Sequence, residues 1–421
     1  MGNDSSRFKR EAIQLDPSLL KIEGKTLYGT SGDEMERMHV RVPHGIEIIA
    51  KEAFKGCSHM YSIMLPDTVT SIQDRAFRHC NGLDSLTLPD SITHIGEMAF
   101  SSSSIRHIKL PRGTTSVGDS IFEECYYLKS VSLPDTITDI EQFAFGKCDG
   151  LTSITLPDSL TSIGDASFFS CTTLKTLALP ASLTSVAGRC FTRCTALKSI
   201  TLPDGLTDLG HSAFLFCDSL ESVSICDNIT TIPIAIFKRC GSLKSLKLPK
   251  KLAIIDESAF ELCSSLTSLT LPDTLTKIEA SAFKDCTSLA FVSIPDTATI
   301  ESNAFESCHR LTTLLLRPPV ARVAFIVWAL GNSRNRDNWE LTTLRHSHNV
   351  LRLITVLNTG RRQLTGTMLR NLIPPNETHS TRDIDLSQLT ICKSRSNKSI
   401  NQSVVLRWLY EAIYEILINL T

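Results

Sequence analysis

The sequence predicts a solenoid: about twelve stacked coils of one chain, each adding a strand to a long parallel sheet. Three observations carry this expectation. A unit of 23 residues recurs, as in Leu197-Lys-Ser-Ile200-Thr-Leu202-Pro203 through Ser219, with the next copy opening at Leu220. A phenylalanine ladder runs Phe54, Phe77, Phe100, Phe122, Phe145, Phe168, Phe191, Phe214, Phe237, Phe260, Phe283 and Phe305, spaced 23 residues except for two intervals of 22. A cysteine follows three residues after all of these except Phe100, where Ser101 to Ser104 stand instead. A fixed period of this length marks stacked units that share one elongated core.

Each unit can be justified piece by piece. In Leu151-Thr-Ser-Ile154-Thr-Leu156-Pro157 the apolar side chains alternate with Ser153 and Thr155, which is the period of a strand with one face inward. Proline lacks the N–H that would continue a ladder, so it closes the strand. A second apolar pair, Leu160 and Ile163, follows, then Ala-Phe-x-x-Cys, read as a short helical or 3₁₀ return. Small Ala beside large Phe lets coils approach while the ring fills the interior.

These residues resemble the leucine-rich repeat superfamily, specifically the bacterial-surface-antigen (BspA-like) type with its 22–23-residue unit. The resemblance spans residues 40–316. It implies a leucine-rich repeat solenoid of the α/β class: a curved right-handed coil with a concave parallel sheet that binds protein and carries no catalytic residue. One departure is plain. The common repeat places an asparagine in the loop after the strand. Here Ser, Thr or Gly behind Pro-Asp takes that place, so the asparagine ladder is missing.

The flanks divide as follows. Residues 1–39 form an N-terminal tail and cap, since a solenoid must cover its first apolar edge. Residues 317–357 resemble the helical C-terminal cap of some relatives, with Phe325, Trp328 and Trp339 among their apolar residues. Residues 358–402 are a polar linker whose composition predicts disorder. Residues 403–421 are an amphipathic helix with Val405, Leu409, Ile413 and Leu417 on one side.

Composition narrows the function. The 421 residues carry a net charge of -1, which supports neither nucleic acid nor an anionic membrane as the whole chain's partner. No run is long and apolar enough to span a bilayer. The N-terminus has no secretory h-region, so a cytoplasmic protein with reduced thiols is expected. Gly2 followed by Ser6 fits a myristoylation pattern, with Arg7, Lys9 and Arg10 nearby; acylation there would attach the chain to a membrane peripherally. Asn228-Ile-Thr230, Asn376-Glu-Thr378 and Asn397-Lys-Ser399 match glycosylation sites, and sugar on any of them would reverse that placement.

Catalytic signatures are absent from the sequence: there is no paired Cys-x₂-Cys, no His-Glu-x-x-His, no Gly-x-Ser-x-Gly and no glycine-rich phosphate loop. The cysteine ladder reads as small buried filler with free thiols, and the Asp after each Pro as a turn former. The expectation is a chain with no catalytic residue, no metal and no cofactor. What remains is the outer side of the strands, a carpet of Ser and Thr. Beside it run Arg106, Lys129, Lys175, Lys198 and Lys244, with Lys109 and Lys247 on the carpet itself. Arg106, His107 and Lys109 make one irregular patch. Phe291 with Leu315 makes another, either a contact site or a surface that the C-terminal segment covers. The reading is a protein-binding scaffold using this Ser/Thr/Lys face, the alternative a surface protein that adheres to glycan or matrix.

Overall fold

The computed structural model describes residues 13–14, 17–30, 38–295, 297–311 and 313–316. Gly2, the C-terminal cap, the linker and the final helix all lie outside these residues, as do two of the three glycosylation motifs. The described chain is a parallel β-solenoid of about twelve coils with three sides.

The first side is the anticipated strand ladder. Met38–Arg41, Met60–Met64, Ser85–Thr87, His107–Lys109 and Ser130–Ser132 pair in parallel, one coil upon the next. Ser199–Thr201, Ser222–Ser224 and Ser245–Lys247 continue it, then Ser268–Thr270, Phe291–Ile294 and Thr313–Leu316. Between these blocks the ladder loosens to a single bridge, Ser153 to Thr176.

The second side is a ladder the sequence reading did not separate out. Two-residue strands such as Ser71–Ile72, Ser162–Ile163 and Thr231–Ile232 stack in register, each with its aliphatic residue buried. An antiparallel hairpin, Leu20–Glu23 with Thr26–Thr30, begins this ladder and pairs onto Ile48–Ile49. Gly29 makes that junction possible: its φ is +125°, and a Cβ there would lie 2.1 Å from the Ala53 carbonyl oxygen.

The third side corrects the expected helical return. Among the described residues there is no α-helix, and the one 3₁₀ turn is Pro17–Leu19, far from any Ala-Phe-x-x-Cys segment. Overlapping turns take its place. Ala53, Lys55 and Cys57 donate their N–H groups back to Ala50, Glu52 and Phe54, while Glu52, Phe54 and Gly56 donate across to Asp74, Ala76 and Arg78 of the next coil. Alternate amides thus close turns and link coils, so this side is hydrogen-bonded along the stack as a strand would be. The geometry requires positive φ two residues before and two residues after each Phe, for example at Ala166, Ser170, Arg189 and Arg193. Val, Ile and Thr never occupy these positions, because branching at Cβ makes the left-handed region costly.

The core is the predicted double column. All twelve ladder phenylalanines are buried, and neighbouring rings stack with centroids 5.1–5.7 Å apart from Phe54 to Phe305. The cysteines from Cys80 to Cys308 are buried free thiols. Each ladder thiol from Cys80 onward donates to the carbonyl oxygen of the Phe one coil back, as Cys171 to Phe145 at 3.1 Å. After Phe100 the Cys position is filled by buried Ser103, whose hydroxyl lies 3.5 Å from Cys125 Sγ.

The missing asparagine ladder has a substitute. The small residue behind Pro-Asp sends its hydroxyl to a carbonyl one coil back: Ser159 to Ile137 at 2.6 Å, Ser182 to Leu160 at 2.7 Å, Thr274 to Leu252 at 2.7 Å. Asn228 at the same place donates its amide to Asp204 instead. Where a hydroxyl stands at this place, it satisfies a corner carbonyl that would otherwise lack a donor.

Candidate functional site

The first ladder turns its odd side chains outward, and the fold brings the proposed contact residues onto that one face. Ile108, Val131 and Ile200 point into the core, so His107, Lys109, Ser130, Ser132, Ser199 and Thr201 point out and are exposed. Serine and threonine are short, which makes this strip a low floor. Ser153, Thr155, Thr176 and Ala178 continue it through the loosened bridge.

One edge of the floor is basic. Arg106, Lys129, Lys175, Lys198 and Lys244 occupy equivalent places and are all exposed. Backbone bonds hold them in one row: Lys129 N–H to Arg106, Lys175 to Thr152, Glu221 to Lys198 and Lys244 to Glu221, at 2.8–3.0 Å. Neighbouring coils are ~4.8 Å apart, so Lys175 and Lys198 are one spacing apart, whereas Thr152 separates Lys129 from Lys175 and Glu221 separates Lys198 from Lys244. The two ends of the row are neutralised within the chain, since Arg106 pairs with Asp84 and Lys244 with Glu221. Lys129, Lys175 and Lys198 form no ion pair among the described residues.

Arg106, His107 and Lys109 are all exposed on this face. Arg106, His107 and Lys109 lie together, directly after the Ser101–Ser104 segment, and His107 Nδ1 sits 2.8 Å from Ser130 Oγ. Lys247 is exposed on the floor farther along. Phe291 is half-buried, and its neighbour Ser293, expected outside, is buried. The side chain of Leu315 falls outside those described.

The opposite edge was missed as a site. Asp135, Asp158 and Asp204 are exposed in the turn that follows each Pro. The turn itself is closed by backbone, Ile137 N–H to Pro134 at 3.2 Å and Leu160 N–H to Pro157 at 3.1 Å. Among the described residues these three carboxylates make no ion pair or hydrogen bond, so they are not consumed by turn formation. The repeated Pro-Asp dipeptide was the signal, but it is equally the signature of a turn.

No group of three or more His, Cys, Asp or Glu among the described residues could hold a metal ion. Burial pushes the ladder thiols up, Cys125 to about 11 and Cys171 to about 12, which removes them as nucleophiles. No helix of the described residues is long and apolar enough to cross a membrane.

The BspA type leucine rich repeat region, in its six-copy family model, matches residues 33–148, 115–244 and 230–324. This chain belongs to the BspA-type leucine-rich repeat family. Among solved structures, a leucine-rich repeat protein from Bacteroides ovatus is similar at 30% identity and a TM-score of 0.62, covering 72% of this chain and 86% of its own. A leucine rich cell surface protein from Faecalibacterium prausnitzii shares 23% identity with a TM-score of 0.43, covering 73% of this chain and 97% of its own. The pneumococcal vaccine antigen PcpA shares 17% with a TM-score of 0.49, covering 73% and 88%. No curated protein sequence matches the chain. Membership in this BspA-type family accounts for the 22–23-residue coil, and with it a repeat scaffold of the kind that binds protein.

Proposed function

We propose that this BspA-type chain is a non-catalytic scaffold that holds another protein on the Ser/Thr floor and basic row of its first ladder. One observation carries the reading: Lys129, Lys175 and Lys198 stand exposed in a backbone-fixed row and form no ion pair among the described residues. Leaving three ammonium groups so close together raises the local potential and favours an oppositely charged contact. A regular floor also offers many equivalent hydroxyls but no convergent pocket, which suits recognition and not chemistry.

The test is affinity purification of the full chain from its native cell, with partners read by mass spectrometry. Two variants accompany it, one with Arg106, His107 and Lys109 changed to Ala, the other with Lys129, Lys175 and Lys198 changed to Ala. Partners lost with the second variant support the basic row, and loss with the first extends the contact to the irregular patch. Full retention of every partner by both variants removes this face from the function.

The reading keeps the chain cytoplasmic, tethered to a membrane where Gly2 is acylated. Mass spectrometry of the N-terminal peptide tests the acyl group. Carbohydrate on exposed Asn228 would instead place the protein outside the cell and favour the adhesion reading.

A further inference from the structure

The two charged edges of the floor belong to the same central coils, and neither is neutralised. Lys129 and Asp135 begin and end one pass of the strand, and Lys198 and Asp204 another. Lys175 and Asp158 lie on the two coils between, on opposite edges. Six residues of extended chain separate each pair, which at ~3.3 Å per residue is about 20 Å. That exceeds the ~8 Å screening length at physiological salt, so each edge acts on a different part of whatever lies across the floor.

The flanking coils behave differently. Asp84 pairs with Arg106, Glu221 with Lys244, and Asp227 with Lys250, so part of the edge charge there is paired in place. Across the four central coils, ~20 Å, neither edge forms an ion pair among the described residues, while Asp90, Lys109 and Lys247 of the flanking coils also stand exposed without one. Within this central window the floor is hydroxylic, and the strand ladder is reduced to the Ser153–Thr176 bridge.

We propose that this window takes a polypeptide of mixed charge that lies along the strand direction. Its carboxylates meet Lys129, Lys175 and Lys198, and its cationic side chains meet Asp135, Asp158 and Asp204. Hydroxyls such as Ser199 and Thr201 face its middle. A uniformly anionic polymer gains at the lysine edge and is repelled at the aspartate edge when it crosses. A sulfated glycan or a nucleic acid is therefore a poorer occupant than a protein segment with both signs. This inference rests on the reading of the face as the contact surface and adds the chemistry of what it contacts.

The experiment uses the full chain and a defined probe at about 150 mM salt, where the two edges are screened from each other. The probe is an end-blocked, fluorescein-labelled dodecapeptide with four glutamates, Gly-Ser-Gly-Ser, then four lysines. Octaglutamate and a heparin hexasaccharide are the comparison ligands. The mixed peptide is expected to bind about tenfold tighter than either. Lys129→Glu, Lys175→Glu and Lys198→Glu together, or Asp135→Lys, Asp158→Lys and Asp204→Lys together, should each weaken it about tenfold. Reversing all six restores binding to within about threefold, because the peptide can turn end for end. That rescue separates recognition from misfolding, and thermal unfolding of each variant accompanies it. Octaglutamate or heparin binding as tightly as the mixed peptide overturns the proposal. So does failure of the six-fold reversal to restore binding while the variant remains folded, or no binding of the mixed peptide. If partners from the cell still require the lysine row in any of these cases, the scaffold reading stands and only the mixed-charge inference falls.

Discussion

The thiol of Cys148 donates to the carbonyl oxygen of Phe122 at 3.2 Å, one coil back. The same oxygen accepts the N–H of Cys125 within its own coil. One backbone acceptor thus serves a turn and a coil-to-coil link, and cysteine is small enough to reach it without separating the rings. Cys148→Ala deletes the weak donor and leaves a small void, for an expected loss of about 1–2 kcal/mol. Urea unfolding measures it. Cys148→Ser should lose less, since the hydroxyl keeps a donor of similar reach, and a serine is already accommodated at the equivalent buried position, Ser103. An alanine variant as stable as the parent would show that the thiol link contributes nothing.

Ring stacking should make stability regional. Phe168 lies between Phe145 at 5.2 Å and Phe191 at 5.6 Å, whereas Phe54 stacks on Phe77 alone. Phe168→Ala should cost roughly 3–5 kcal/mol, and Phe54→Ala distinctly less, because one neighbour is missing. The comparison needs only melting temperatures of the two variants. Equal losses would contradict nearest-neighbour stacking.

The positive-φ positions can be tested without touching the core. Ala235 holds φ of +52° in the third side and is half-buried. Ala235→Gly removes the Cβ conflict and should stabilise by about 1 kcal/mol, while Ala235→Val should destabilise by more than that. The order Gly, Ala, Val in melting temperature is the expected readout. In an ordinary helix the order of Gly and Ala would be reversed.

Part of the acid sensitivity should be traceable to Glu124, one of several carboxylates held below their ordinary values. Glu124 accepts bonds from Lys147 Nζ at 2.7 Å and Ser102 Oγ at 3.0 Å, and the Lys147 bond chiefly holds it below its ordinary value of 4.5. A carboxylate depressed in the folded state contributes stability above its unfolded value and loses it as pH falls through the folded one. The parent should therefore lose melting temperature below pH 4.5, and Glu124→Gln should lose less over that window. Identical slopes in the two proteins would remove Glu124 from the acid response.

Labelling should separate the cysteines of the described residues. Cys57 is half-buried, while the other cysteines of the described residues are buried. Iodoacetamide at pH 8 should modify Cys57 first in the native protein and reach the ladder only on unfolding. Rapid modification of Cys171 in folded protein would contradict its burial.

Much of this was legible along the chain. Phe145 and Cys148 were expected inside, and both are fully buried; the alternation around Ile154 and Leu156 marked the outward residues correctly. Other features were not legible for identifiable reasons. Ala-Phe-x-x-Cys has an apolar spacing that a short helix also satisfies. The deciding fact is the left-handed backbone at Ala166 and Ser170, which leaves only the absence of β-branched residues as its trace. The two-residue strand Ser162–Ile163 is too short to show a period. Phe291 occupies an outward position by pattern, yet its burial depends on what packs at that end of the stack.

The repeat itself determined that identical side chains must fall into columns, because a constant number of residues per turn leaves each Phe only its counterpart to pack against. It could not determine which carboxylates and ammonium groups remain unpaired. Asp84 and Asp135 both read as exposed acids, but Arg106 stands one coil from Asp84 and no cation reaches Asp135. That distinction arises across coils, from residues more than twenty positions apart. Folding alone placed Lys129 and Asp135 on opposite edges of one floor with their charges still available.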